Sequence, residues 1–124
     1  MLKGLRTVVY RAADLSKAKA WYTAVLGIEP YFSEPFYVGF NVGGFELGLD
    51  PDVEGVAEGT GGVIAYWGVE NADAALARLI ELGATPHREV QEVGGGIRVA
   101  SVIDPAGNIL GVMENPHFKT AEVM

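Results

Sequence analysis

The side chains that could do acid–base or binding chemistry in this chain are few, and the foremost is Glu46. It sits in Phe45-Glu46-Leu47-Gly48-Leu49, an alternating run in which apolar residues mark one face of a strand and Glu46 the other. A carboxylate partly screened from water there could act as a base, hold a cationic group or pair with Arg11. A solvated strand-end acid is the plainer alternative. Tyr66, in Ile64-Ala65-Tyr66-Trp67, could donate a hydrogen bond to a ligand or be a core aromatic with a wet tip. Arg98 could anchor a carboxylate ligand, but the face on which it stands is not legible in its strand. The two histidines, His87 and His117, fall in polar and tail segments and read as surface residues. Two separated histidines do not make a metal site.

Other chemistries lack their carriers. There is no cysteine, which removes disulfides, thiolate nucleophiles and thiolate zinc sites together. The run Gly94-Gly95-Gly96 is not followed by the Lys-Ser/Thr of a phosphate loop and reads as a flexible loop. No Gly-x-Ser-x-Gly is present, so an acyl-transfer triad has no support.

The elements that must position these residues come in two similar halves. Thr7-Val8-Val9-Tyr10-Arg11-Ala12-Ala13-Asp14 leads into a segment ending Leu26-Gly27. Ile64-Ala65-Tyr66-Trp67-Gly68-Val69-Glu70-Asn71 leads, at the same offset, into one ending Leu82-Gly83. The repeat has the character of an internal duplication. Asp14 and Asn71 are good helix N-caps, and Gly27 and Gly83 suit the left-handed residue past a helix end. Leu15, Ala18, Tyr22, Val25 and Leu26 form one apolar stripe, and Ala72, Ala75, Leu76, Leu79 and Leu82 another, so each helix can lie on a sheet. After the first helix, Phe36–Val42 and Phe45–Leu49 flank a Gly43-Gly44 hairpin turn. After the second, Ile97–Ile103 and Ile109–Met113 flank Asp104-Pro105-Ala106-Gly107-Asn108. Each half thus reads β-α-β-β-β, an α+β chain of one domain. The first module spans about 4–51, an acidic Gly-rich linker 52–61, the second module 62–116 and a tail 117–124. Strand parity puts Val9 and Arg11 on one face with Thr7, and Val8 and Tyr10 on the other. Trp67 is expected beneath the second helix.

With 49% hydrophobic and 20% charged residues, the chain can bury a core, and disorder is excluded as its main state. No apolar run approaches the ~20 residues that span a bilayer, and the first residues lack a signal-peptide core, so a cytoplasmic location is expected. The net charge of -7, with dispersed Lys and Arg, argues against nucleic acid.

Taken in order, the strand into Asp14-Leu15 with Trp21-Tyr22 and Leu26-Gly27, its second copy, and Asp104-Pro105-x-Gly107-Asn108 resemble the vicinal oxygen chelate superfamily of glyoxalases, bleomycin resistance proteins and extradiol dioxygenases. The resemblance covers about residues 5 to 116 and implies two tandem βαβββ modules, curved mixed sheets around a cleft and helices outside. It also implies a divalent metal held by His or Glu from the first and last strands of each module, at which a substrate's adjacent oxygens chelate. Those four positions fall here on Thr7, Gly48, Ile64 and Gly111, none of them His, Glu or Asp. No cofactor is therefore expected, and a divalent metal only if its ligands are relocated.

The same parity assembles an expected ligand pocket of Thr7, Val9, Arg11, Glu46, Gly48, Ile64, Tyr66, Ile109, Gly111 and Met113, apolar with few polar groups. The two glycines would enlarge it. The favoured reading is a metal-free protein, similar to the bleomycin-resistance type, that binds a small organic molecule, cationic ones being favoured by the acidity. A lyase, isomerase or dioxygenase with relocated ligands, or with Glu46 and Tyr66 as acid and base, is a second reading. A ligand-free accessory or regulatory domain is a third. The resemblance implies a homodimer. Pro116-His117-Phe118 could close a pocket or fray.

Overall fold

Local chemistry sets both helices where the sequence predicts them. In the computed structural model, which describes residues 1, 5–53, 57–60 and 64–116, the Asp14 side chain accepts from the Lys17 amide and opens α1 (Leu15–Leu26). Asn71 accepts from the Ala74 amide and opens α2 (Ala72–Glu81). Each cap satisfies an amide that the first helical turn leaves without a partner. Gly27 ends α1 at φ 70, a left-handed conformation that glycine adopts without strain.

The strands complete two mixed sheets. β1 (Thr7–Arg11), β2 (Phe32–Glu34), β3 (Tyr37–Val42) and β4 (Phe45–Asp50) form one in the order β1-β4-β3-β2. β5 (Ala65–Gly68), β6 (Thr85–Glu92), β7 (Arg98–Ile103) and β8 (Ile109–Glu114) form the other in the order β5-β8-β7-β6. In each sheet the first strand runs parallel to the last and the rest are antiparallel. The two βαβββ modules of an α+β fold are thus present. Ile64 stands one residue before β5, and Phe36 lies in the turn before β3 rather than on it. Gly94, Gly95 and Gly96, read from the sequence as a flexible loop, form the β6–β7 hairpin connection. All three have positive φ, and the turn is closed by hydrogen bonds between Val93 and Ile97 and from Ile97 to Gly94.

The helix-side faces of both sheets share a single core of Tyr10, Tyr22, Val38, Phe40, Leu47, Leu49, Leu79, Val102, Leu110 and their neighbours. Each such burial is worth about 1.5–3 kcal/mol against exposure. Trp67 packs against this core as expected. Its indole Nε1 and the Tyr10 hydroxyl are both buried without a well-formed hydrogen bond, yet close enough that the indole opposes the rise in Tyr10 pKa that burial causes.

Polar contacts then tie the modules together. Trp21, which lies off the predicted stripe of α1, is buried and donates its indole N–H to the Leu82 carbonyl at 3.1 Å. The Tyr22 hydroxyl donates to Asp104 Oδ2 at 2.7 Å, and Asn108 Nδ2 donates to the Arg11 carbonyl at 3.0 Å. The Asp-Pro-x-Gly-Asn turn is therefore also a clasp on the first module. Two described residues of the linker are held as well: Glu58 accepts from the Ala13 amide, and the Gly59 amide donates to Asn108 Oδ1. His117 and Phe118 lie outside the described residues. Among the described residues no helix is long and apolar enough to cross a membrane.

Candidate functional site

The face of the first sheet turned away from α1 is built on a bare floor. Gly39 and Gly48 are direct cross-strand partners on β3 and β4, with the core residues Val38, Phe40, Leu47 and Leu49 pointing the other way. A strand glycine without turn duty marks a place where something approaches the backbone closely. Here it is Tyr37 and Glu46: a Cβ on Gly48 would lie 1.9 Å from the Tyr37 hydroxyl oxygen, and one on Gly39 would lie 2.9 Å from Glu46 Oε2. The second sheet repeats the arrangement with a different residue. Tyr66, the cross-strand partner of Gly111, lays its ring where a Gly111 side chain would stand, 2.6 Å from an added Cβ. The two glycines therefore do not enlarge a pocket, because each is roofed by a tyrosine.

Three hydroxyl groups converge on Glu46. Tyr37 donates to Oε1 at 3.0 Å, Thr7 approaches the same oxygen at 3.4 Å, and Tyr31 donates to Oε2 in a short hydrogen bond. Partial burial, reinforced by the hydrogen bond to Glu46, pushes the Tyr37 phenol up to about 12. The bond to Glu46 is the main cause of the rise at Tyr31. Both phenols therefore hold their protons across the neutral range, and the carboxylate accepts from two oriented phenols. An open recess of about 170 Å3 lies beside it, lined by Tyr31, Asn41, Gly44, Phe45 and Glu46. Phe32 extends this surface, in ring contact with Tyr37 and with Phe36 at centroid separations of 6.2 and 6.0 Å.

Of the expected pocket residues, Thr7, Glu46 and Gly48 come together around this cluster, with Val9 and Arg11 farther along β1 on the same face. Tyr66, Gly111, Met113 and Ile109 share the open face of the second sheet. The first group is more polar than the sequence implies, because Tyr31 and Tyr37 were not among the expected residues. Tyr37 had a readable signal: the two-residue turn pairs Val42 with Phe45, which counts back to Gly39 opposite Gly48 and places Tyr37 on that face. Tyr31 precedes β2 and has no such signal.

Arg98 does not reach the open faces. It alternates with the core residues Ala100 and Val102 and pairs with Asp73 at 2.7 Å and Glu114 at 3.5 Å. Glu114 in turn accepts from the Ala72 amide, so Arg98 fastens the start of α2. His87 is exposed, as expected of a surface residue, and its Nδ1 lies 2.8 Å from Ser101 Oγ.

At the four positions where the resemblance places metal ligands stand one threonine hydroxyl, an isoleucine and two glycines under tyrosine rings. This is not the donor set of a divalent ion. Among the described residues no three His, Asp or Glu side chains gather.

The sequence model of the Glyoxalase/Bleomycin resistance protein/Dioxygenase superfamily matches residues 4–112. Comparison with curated proteins gave no match. Among solved structures, the chain is similar to a lactoylglutathione lyase from Agrobacterium tumefaciens, at 22% identity and TM-score 0.78, covering 96% of this chain and 100% of that one. A glyoxalase-related enzyme from Fulvimarina pelagi gives 23% identity and TM-score 0.76, covering 93% of this chain and 90% of that one. A superfamily member from Sphaerobacter thermophilus gives 21% identity and TM-score 0.74, covering 93% and 99%.

Proposed function

The chain belongs to the Glyoxalase/Bleomycin resistance protein/Dioxygenase superfamily, and from that premise we propose that it binds a small organic cation at Glu46, on the open face of the first sheet, without the family's divalent metal. The observation that carries this reading is the Glu46 carboxylate held by Tyr31, Tyr37 and Thr7. A negative charge fixed by neutral donors, with aromatic rings beside it, complements an organic cation through ion pairing and cation–π contact. The roofed glycines at Gly48 and Gly111 support the metal-free part of the reading. The net charge of -7 adds a favourable long-range field for cations.

A second reading rests on the same hydrogen bonds. Tyr37 and Glu46 form a donor–acceptor pair that could pass a proton to and from a bound substrate, making the protein a metal-independent enzyme. Among the described residues Tyr66 has no comparable partner set on its sheet, and we read it as a wall rather than an acid.

Exposed aromatic and apolar side chains on these faces, Val9 at 39%, Tyr31 at 63% and Tyr66 at 47%, also suit a homodimer in which a second copy covers the cluster.

Calorimetry with an aromatic ammonium ion and its neutral isostere tests the binding reading. Wild type should prefer the cation, and Glu46→Gln should weaken it by about tenfold, the loss of one charge-assisted contact. Equal affinity for cation and isostere would dismiss it. Light scattering tests the dimer.

A further inference from the structure

The open face of the second sheet carries chemistry of the opposite sign. Its ladder places Ser101 opposite Gly111, and Gly111 opposite Tyr66, so all three share the face turned away from α2. On the neighbouring strand the register jumps between Pro86, paired with Val102, and Arg88, paired with Ser101. One extra residue, His87, is thereby inserted, and two residues of β6 stand against the single Ser101. His87 uses that position to reach across to the serine at 2.8 Å. The bulge thus sets His87 and Arg88 next to each other on β6 against one serine of β7.

We propose that His87, Arg88 and Ser101 form a binding site for an oxyanion, the carboxylate or phosphate group of a small molecule. Ser101 is 3% exposed although it lies on the open face, and its hydroxyl has no other partner among the described residues. The 2.8 Å contact to Ser101 engages Nδ1 and orients the exposed His87 ring, leaving Nε2 to meet an anion. Ser101 is a positioning residue here, because it orients that ring. Arg88 supplies the charge. It is exposed, and its guanidinium makes no hydrogen bond or ion pair among the described residues, in a chain where acids outnumber Lys and Arg by 16 to 9. Its planar fork suits a carboxylate or phosphate bound through two oxygens. Ile103 and Met113, half-buried on the same face, give an apolar body somewhere to lie.

Side-chain NMR of the full chain tests this, with benzoate and inorganic phosphate each titrated at fixed pH and ionic strength. The His87 imidazole and Arg88 guanidinium signals should move saturably. Arg88→Gln should weaken the anion by about tenfold, as loss of a charge-assisted pair does. Ser101→Ala should weaken it while leaving the Arg88 response in place. Stronger binding of benzoate assigns a carboxylate on an apolar body, and stronger binding of phosphate assigns a phosphate ester. Glu46→Gln should leave both titrations unchanged, so this site stands or falls separately from cation binding on the first sheet. Shifts that never saturate, or saturable shifts that survive both Arg88→Gln and His87→Gln, overturn the proposal.

Discussion

At the scale of single residues, the most informative positions are those that lack a side chain. Gly48 is required because the Tyr37 phenol occupies the volume a Cβ would take, not because of its backbone angles, which show no positive φ there. Gly48→Ala is therefore expected to push Tyr37 off Glu46 and to destabilise the fold by about 1–3 kcal/mol, the range for overpacking. In a Tyr37→Ala background the same substitution should fall to a few tenths, because the obstructing ring is gone, and a denaturant double-mutant cycle measures the difference. Equal costs in both backgrounds would mean that Gly48 serves something other than Tyr37. The phenol reports on the cluster in a second way. Burial is the larger cause of the rise of Tyr37 to about 12 and Glu46 the next, so Glu46→Gln should lower its phenolate absorbance midpoint only part of the way towards 10.0. A midpoint unmoved by the substitution would detach Tyr37 from Glu46.

At the scale of elements, what the sequence reveals depends on whether an element has a buried side. α1 and α2, β3, β4, β7 and β8 all face the core, so apolar periodicity marks them, and the duplication fixes β1 and β5. β2 and β6 were foreseen only as members of the β-α-β-β-β pattern, without location. The three residues of β2 are all exposed, and β6 buries little apart from Val90 while two register shifts break its alternation. The same irregularity hid His87, whose reach to Ser101 exists only because of the bulge. Arg98 was undecidable for a related reason: the side of its strand follows from which neighbours are core, and that is a tertiary fact. Helix starts give a comparison of magnitudes. Asn71→Ala removes a cap hydrogen bond and should cost about 1 kcal/mol, whereas Arg98→Ala removes partly exposed ion pairs and should cost less than that. Urea titrations that reverse this order would make the Arg98 network, rather than the cap, the main support of α2.

At the scale of the whole molecule, the helix-side faces of the two modules share a core, and Tyr22, on α1, bonds Asp104 in the second module. That bond has a pH signature. Burial raises the Tyr22 phenol well above its ordinary 10.0, and the neighbouring Asp104 carboxylate adds to the rise. Burial also raises Asp104 itself, against the lowering effect of its bonds from Tyr22 and from the turn amides. For Tyr22 the sign follows directly. Below pH 10 both folded and unfolded chains keep the proton, and its full contribution is present. Above pH 10 the unfolded chain releases the proton while the folded chain holds it, so stability falls as pH rises, by about 1.4 kcal/mol per unit for each such buried tyrosine. Tyr10, raised chiefly by burial, adds to the same slope. Tyr22→Phe should therefore act in two separable ways. At neutral pH it should destabilise by about 1–3 kcal/mol, because Asp104 stays buried with one donor fewer. Above pH 10 its stability should decline less steeply than that of wild type, by the equivalent of one proton. Urea unfolding at a series of alkaline pH values measures both effects, and parallel slopes for the two proteins would show that the Tyr22 hydroxyl does not join the modules through Asp104.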